Sequence, residues 1–242
     1  MLPSGYKRLE YIQSSGTQYI DTGYKADQNR RVVMDVQPLV QIKNAWLFEG
    51  RNTSTQARSG IFFYYSSTKL WTSDWPSDRQ NFSEIAETDR LLIDANKTIC
   101  TVNGYSLTHT EKTFQSDYTL TLLACNTGGT ISGYANAKLY SCQIYDNGTL
   151  IRDFIPCQTA AGEIGLWDNV NSVFYGNSGT GSFIAGPEVY FPVYTPAIVA
   201  ISIAPNPAHV GDAVLISVSA IDVEVVPSKA MYLLGEFQSG EV

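Results

Sequence analysis

Residues 137–187, AKLYSCQIYDNGTLIRDFIPCQTAAGEIGLWDNVNSVFYGNSGTGSFIAGP, carry the reading that decides the fold. The tetrapeptide Asp146-Asn147-Gly148-Thr149 separates two apolar-alternating runs, 139–145 and 150–155. Asn-Gly accepts the positive φ of a tight hairpin turn with little penalty, so antiparallel pairing of the two runs is the favoured local outcome. The second run stops at Pro156, and glycines punctuate the remainder as far as Gly186-Pro187, where the pattern closes. The stretch holds no paired acids or histidines arranged for reaction chemistry.

Working outward, the same grammar of short apolar runs and turn signals recurs, and it predicts strands over 19–21, 31–38, 45–49, 60–65, 69–72, 91–95, 98–102, 119–125, 137–145, 150–155 and 165–168. Turns at 94–97 and at Asn103-Gly104 pin the middle of the chain. Helical patterns of 10 to 15 residues do not alternate with these runs, which sets aside parallel α/β folds. Composition agrees: 44% hydrophobic, only 16% charged and 15 tyrosines suit half-buried sheet faces better than helical bundles. The class expected is all-β, a two-sheet antiparallel jelly-roll sandwich followed by a small β module.

Charge excludes one class of partner. With a formal net charge of -7 and no basic patch, the chain lacks the cations whose contact with phosphates drives nucleic-acid binding. No run approaches the roughly 18 apolar residues of a membrane span, and the amino terminus lacks the apolar core of a secretion signal. No membrane insertion and no signal peptide are therefore expected. Cys100, Cys125, Cys142 and Cys157 form no CxxC pair and lie within apolar patterns, which reads as reduced core thiols, with disulfides as the alternative.

After residue 187 the composition changes. Residues 1–187 form the first expected domain, 188–196 a proline-bearing linker, and 197–242 a short immunoglobulin-like β module or docking tail. About 45 residues are too few for the roughly 100 of a complete immunoglobulin sandwich, so an oligomerising or docking role is expected of them.

Four blocks, LPSGYKRLEYIQSSGTQYIDTGY (2–24), IYDNGTLIRDFIPC (144–157), GEIGLWDNVNSVFYGN (162–177) and GTGSFIAGP (179–187), resemble the LamG-like, concanavalin A-like jelly-roll domains found in bacteriophage and prophage structural proteins and in surface proteins of gut bacteria. Residues 199–220 are similar to bacterial and phage immunoglobulin-like modules. The resemblance implies a non-enzymatic virion protein made in the bacterial cytoplasm: a tail, baseplate or head fibre, or a capsid decoration. It would present an adhesion domain to host or mucosal glycan, associate with other virion proteins or with itself through 188–242, and form a homo-oligomer. The alternatives are a purely architectural virion protein and a bacterial surface lectin.

Jelly-roll glycanases need two carboxylates flanking the scissile bond, and the nearest text, Glu84 to Asp89, has the wrong order and spacing. The two histidines, His109 in a polar stretch and His209 in the tail, have no nucleophile elbow or evident acid partner. Saccharide binding requires aromatic faces flanked by bidentate hydrogen-bonding groups. Trp71 and Trp75 beside Asp74, with Tyr64, Tyr65, Arg51 and Asn52, are the expected platform, and Trp75, preceding Pro76, is expected in an exposed loop. The competing reading places Trp46, Trp71 and Phe63 in the core. Calcium, which related jelly rolls often hold, would take Asp168, Asn169 and Asn171, although such clusters also make ordinary turns. No other cofactor is implied.

Overall fold

The computed structural model describes residues 2–40, 43–56, 58–64, 70–76, 78–189, 193–204, 215–225 and 236–237, with backbone alone for Tyr64 and for everything from 193 onward. Contacts divide the chain into two units, Met1–Val189 and Tyr190–Val242.

The first unit is a two-sheet β-sandwich, and the described residues contain no helix. Its larger sheet runs, edge to edge, Tyr105–Thr108, Ile99–Val102, Leu91–Asn96, Arg30–Val40, Asn136–Asp146, Thr149–Gln158, Ile164–Asp168 and Val173–Tyr175. The smaller runs Thr130–Ser132, Cys125–Thr127, Ala45–Arg51, Ile61–Tyr64, Leu70–Trp75 and Asp78–Phe82. Pairing is antiparallel throughout except where Cys125–Thr127 runs parallel to the end of Ala45–Arg51.

The spine of the larger sheet is the pair Arg30–Val40 and Asn136–Asp146, which runs from Arg30↔Asp146 to Asn136↔Val40 with register shifts at Leu139/Ser141 and Asn136/Ala137. Strict alternation along Arg30–Val40 turns Val32, Met34 and Val36 inward, because successive side chains on a strand point to opposite faces. They meet Leu47, Phe48, Ile61, Phe63 and Trp71 in one core. Each such side chain contributes about 1.5–3 kcal/mol on burial, which gives the sandwich its main stabilisation.

The expected hairpin at 146–149 forms, with Asn147 at φ 46° and Gly148 at φ 82°, and Asn103-Gly104 repeats the device at 50° and 88°. The strand expected over 119–125 is instead broken. Leu123 adopts φ 65°, a left-handed conformation unfavourable for a side-chain-bearing residue, and its N–H donates to the Leu47 carbonyl at 2.7 Å. Burial of the Leu123 side chain in the core compensates for the local strain, and the kink lets Thr121–Leu122 and Cys125–Thr127 pair separately with Ala45–Arg51.

The chain enters and leaves this unit at one place. Lys7 Nζ meets Glu188 Oε2 at 3.0 Å, Leu9 bridges Glu188, and the Val189 N–H donates to the Arg8 carbonyl. Residues 188 and 189, expected in a linker, thus belong to the sandwich. The second unit is a three-stranded sheet in the order Val193–Ala204, Leu215–Val225, Glu236–Phe237. Residues 193–196 of the expected linker are strand, and Pro196 pairs with Asp222 on an edge strand, the position at which a residue without an N–H is tolerated.

Inside the sandwich, Arg30 is only 2% exposed. Its Nη1 donates to the Ala95 carbonyl at 3.0 Å and its Nη2 to the Ser59 carbonyl, so one side chain links the larger sheet to the loop feeding the smaller one. The guanidinium also lies 5.4 Å from the centroid of Phe48 and 5.3 Å from that of Trp75. Replacing it withdraws a charged donor from two buried carbonyls. Arg30→Met is therefore expected to lower stability by roughly 2–4 kcal/mol in urea unfolding, and a change within experimental error would remove Arg30 from this role.

All four cysteines are buried and unpaired, and burial pushes Cys100 up to about 11 and Cys125 and Cys157 to about 12. Thiolate is the reactive form, so no cysteine should titrate with a thiol reagent in the native protein at neutral pH, whereas all four should react in denaturant. Rapid native labelling would contradict this packing.

Candidate functional site

The face of the smaller sheet turned away from the core is where chemistry collects. Ala45, Leu47, Phe63 and Trp71 point into the main core, whereas Trp46 and Phe62 form a separate cluster with Cys125. Trp46 stacks on Phe62 with centroids 4.2 Å apart and planes 18° from parallel. Guanidinium groups cover this pair: Arg51 lies 4.6 Å from the Trp46 centroid and Arg79 lies 5.0 Å from that of Phe62.

Two carboxylates lie beneath the arginines. Asp74, 1% exposed, accepts a bidentate pair from Arg79 at 2.8 and 3.0 Å, with Arg58 Nη1 at 3.8 Å. Glu49 is fully buried, and its carboxylate accepts the N–H groups of Gly50 at 2.9 Å and Ser59 at 3.2 Å. Loss of water pushes Glu49 up to about 7; Arg51 opposes the shift, Asp74 adds to it, and the two amide donors oppose it. Arg51 is itself held by its Nε donating to Thr127 Oγ1 at 2.8 Å.

Above this layer opens a cavity of about 460 Å³ lined by Lys43, Asn44, Trp46, Arg51, Ser54, Phe62, Arg79, Ser132 and Gly133. Gly133 sits at φ 60°, and a Cβ there would fall 2.6 Å from Trp46 Cδ1 and 2.5 Å from the Asn44 carbonyl oxygen. The cavity wall therefore requires glycine at this position.

The platform expected from sequence is not assembled. Trp71 is in the core against Phe63, and Trp75, expected in an exposed loop, ends a strand at 1% exposure, packed edge-on to Phe114 and beside Arg30. Asp74 points to the opposite face and is covered. Asn52 is at the surface, where it binds Asp117 through both ends of its amide and pins a loop. Among the described residues, Arg51 alone of the expected set lines the cavity. The side chain of Tyr64, and Tyr65 entirely, lie outside the described residues. Trp46, which the competing reading places in the core, instead lines the cavity. Ala45 and Leu47 turn inward, so alternation along the strand turns Trp46 outward, and the irregularity between Trp46 and Phe48 then brings Phe48 as well as Leu47 into the core.

The calcium cluster is a turn clamp. Asp168 Oδ1 accepts the N–H groups of Asp153 and Val170, both at 3.0 Å, and Oδ2 accepts Asn171 Nδ2 at 2.7 Å. Arg152 Nε lies 3.7 Å from Oδ2. Asn169 and Asn171 turn their NH2 groups, which cannot ligate a cation, toward Asp153 and Asp168. Among the described residues no cluster of three or more His, Cys, Asp or Glu side chains is placed to hold a metal.

A histidine contact was not visible in sequence. His109, expected in a polar stretch, is buried; its Nε2 is 2.9 Å from Ser73 Oγ and its Nδ1 3.7 Å from Asp78 Oδ2. The order Ser-His-Asp resembles a hydrolase relay, but the Ser73 side chain faces the sandwich interior at 4% exposure, and Nδ1 makes no hydrogen bond. Burial pulls His109 below its ordinary value, with Asp78 acting against the shift. The group packs as a neutral interior histidine. His209 lies outside the described residues.

Compared with known proteins, the chain matches no protein-family model, no curated protein and no solved structure.

Between the ordinary glutamate value of 4.5 and about 7, native Glu49 binds more protons than the unfolded chain does, so its contribution to stability falls as pH rises through that window. The shift corresponds to about 3 kcal/mol across the whole window. His109 works in the opposite direction, so the comparison must be with Glu49→Gln, which keeps an acceptor for both amides. From pH 5 to pH 8 the variant should gain stability relative to the parent in parallel thermal melts. Parallel profiles would show that Glu49 titrates normally.

Proposed function

We propose that this chain is a non-catalytic binding module: a β-sandwich that presents a saccharide site on the outward face of its smaller sheet, as an attachment or decoration component of a bacteriophage particle. The observation that carries the binding part is the cavity of about 460 Å³ over the Trp46–Phe62 pair, within the size range of small-molecule sites. Asn44, Ser54 and Ser132 supply amide and hydroxyl groups suited to sugar hydroxyls. The phage assignment draws on the resemblance of 2–24, 144–157, 162–177 and 179–187 to LamG-like domains of virion proteins.

A purely architectural role draws support from the second unit. Its strands Val193–Ala204 and Leu215–Val225 are long, but the third, Glu236–Phe237, covers only two residues of its neighbour. Sheet edges of this kind are templates for pairing with another chain.

The test is a glycan array probed with the full chain, with and without added calcium. The saccharide reading expects retention of a defined glycan set, independent of calcium, and its loss in Ser132→Trp, which fills the cavity from an exposed strand while the melting temperature is kept. An array with no retained glycan would favour the architectural reading.

A further inference from the structure

The charge around the cavity does not match the charge of the chain. A protein with formal net charge -7 places Lys43, Arg51 and Arg79 around one cavity, and none of the described residues lining it is an acid. The two carboxylates of the region, Glu49 and Asp74, lie below the cavity floor, and with Arg58 included four cations face two acids. We propose that the site is built for an anionic saccharide, one bearing a carboxylate or a sulfate, with Arg51, Arg79 and Lys43 receiving the charged group. The inference rests on the saccharide reading above and names its ligand class.

Preorganisation supports it. Arg79 is fixed by a bidentate bond to a buried aspartate and by the face of Phe62; Arg51 is fixed by Thr127 and the face of Trp46. A guanidinium held this way keeps a fixed plane and a fixed positive charge beside the cavity, and a planar guanidinium matches the paired oxygens of a carboxylate or sulfate. The rings themselves are almost wholly buried beneath the arginines, so the surface offered to a ligand is cationic rather than a bare aromatic platform. Burial also keeps Glu49 partly protonated near neutrality, which reduces the negative charge below the site. A saccharide fits better than an acidic peptide because the cavity is compact and flanked by Asn44, Ser54 and Ser132, which suit hydroxyls around a single charged group.

The experiment is calorimetric titration of the full chain with lactose, a sialylated lactose and a sulfated lactose, at low and at high salt. One or both anionic sugars should bind at least roughly tenfold more tightly than lactose, and the advantage should shrink with salt. The sialylated and sulfated arms identify which oxyanion is preferred. Lys43→Glu, at an exposed turn residue, should abolish the anionic preference without shifting the melting temperature, and Arg51→Lys should weaken it while conserving charge. If all three sugars bind equally and Lys43→Glu changes nothing, the charge inference fails while the saccharide reading stands. If no saccharide binds but poly-glutamate does, both fail and an acidic protein surface is the occupant. No binding of any probe overturns both.

Discussion

The buried guanidinium of Arg30 is the constraint on which the arrangement of this sandwich depends. Two sheets packed through aliphatic and aromatic side chains are free to slide, since apolar packing is non-directional. Arg30 removes that freedom at one end by donating to Ala95 on one sheet and to Ser59 at the approach to the other. The cost of withdrawing its charge from water is offset by those carbonyls, by the rings of Phe48 and Trp75, and by the charge of Glu49. Ser59 is also the residue whose N–H reaches Glu49. One residue, bonded at its carbonyl from inside the sandwich and at its amide from the outer face, couples the core to the site.

That coupling explains why the outer face of the smaller sheet is ordered without being hydrophobic. Asp74 and Glu49 occupy positions that would be exposed on an ordinary one-sided sheet, yet both are buried under arginines and the loop leading to Ser59. The acids orient the arginines, and the arginines shield the aromatic pair. The cavity is thus lined by cations whose own counter-charges are out of reach of a ligand.

Much of the sandwich was legible in the chain. The hairpin at Asn147-Gly148, the alternation of Arg30–Val40 and the two-sheet class follow from turn dihedrals and period two, which are local. The facing of the smaller sheet was not. Leu70–Trp75 is buried on both sides almost throughout, so Trp71, Asp74 and Trp75 carry no inside-outside signal, and the dipeptide Trp75-Pro76 reads as a loop although the strand runs up to it. The outward facing of Trp46 follows from alternation between the inward Ala45 and Leu47, whereas the inward turn of Phe48 depends on an irregularity set by pairing partners distant in sequence. The break at Leu123 is invisible for the same reason: a leucine in left-handed conformation is stabilised by tertiary contacts, not by its neighbours. Short pairings such as Lys7–Arg8 and Ile184–Ala185 have too little pattern to be read at all.

The closure of the first unit on itself, with Arg8 bonded to Val189 and Lys7 to Glu188, has a modular consequence. Because the two ends of the sandwich emerge side by side, the unit has the geometry of a cassette: it could be spliced into a surface loop of an unrelated host protein across a gap of about one strand spacing, roughly 5 Å, without opening either sheet. The cationic cavity would travel with it intact, since every residue that builds it lies between those ends.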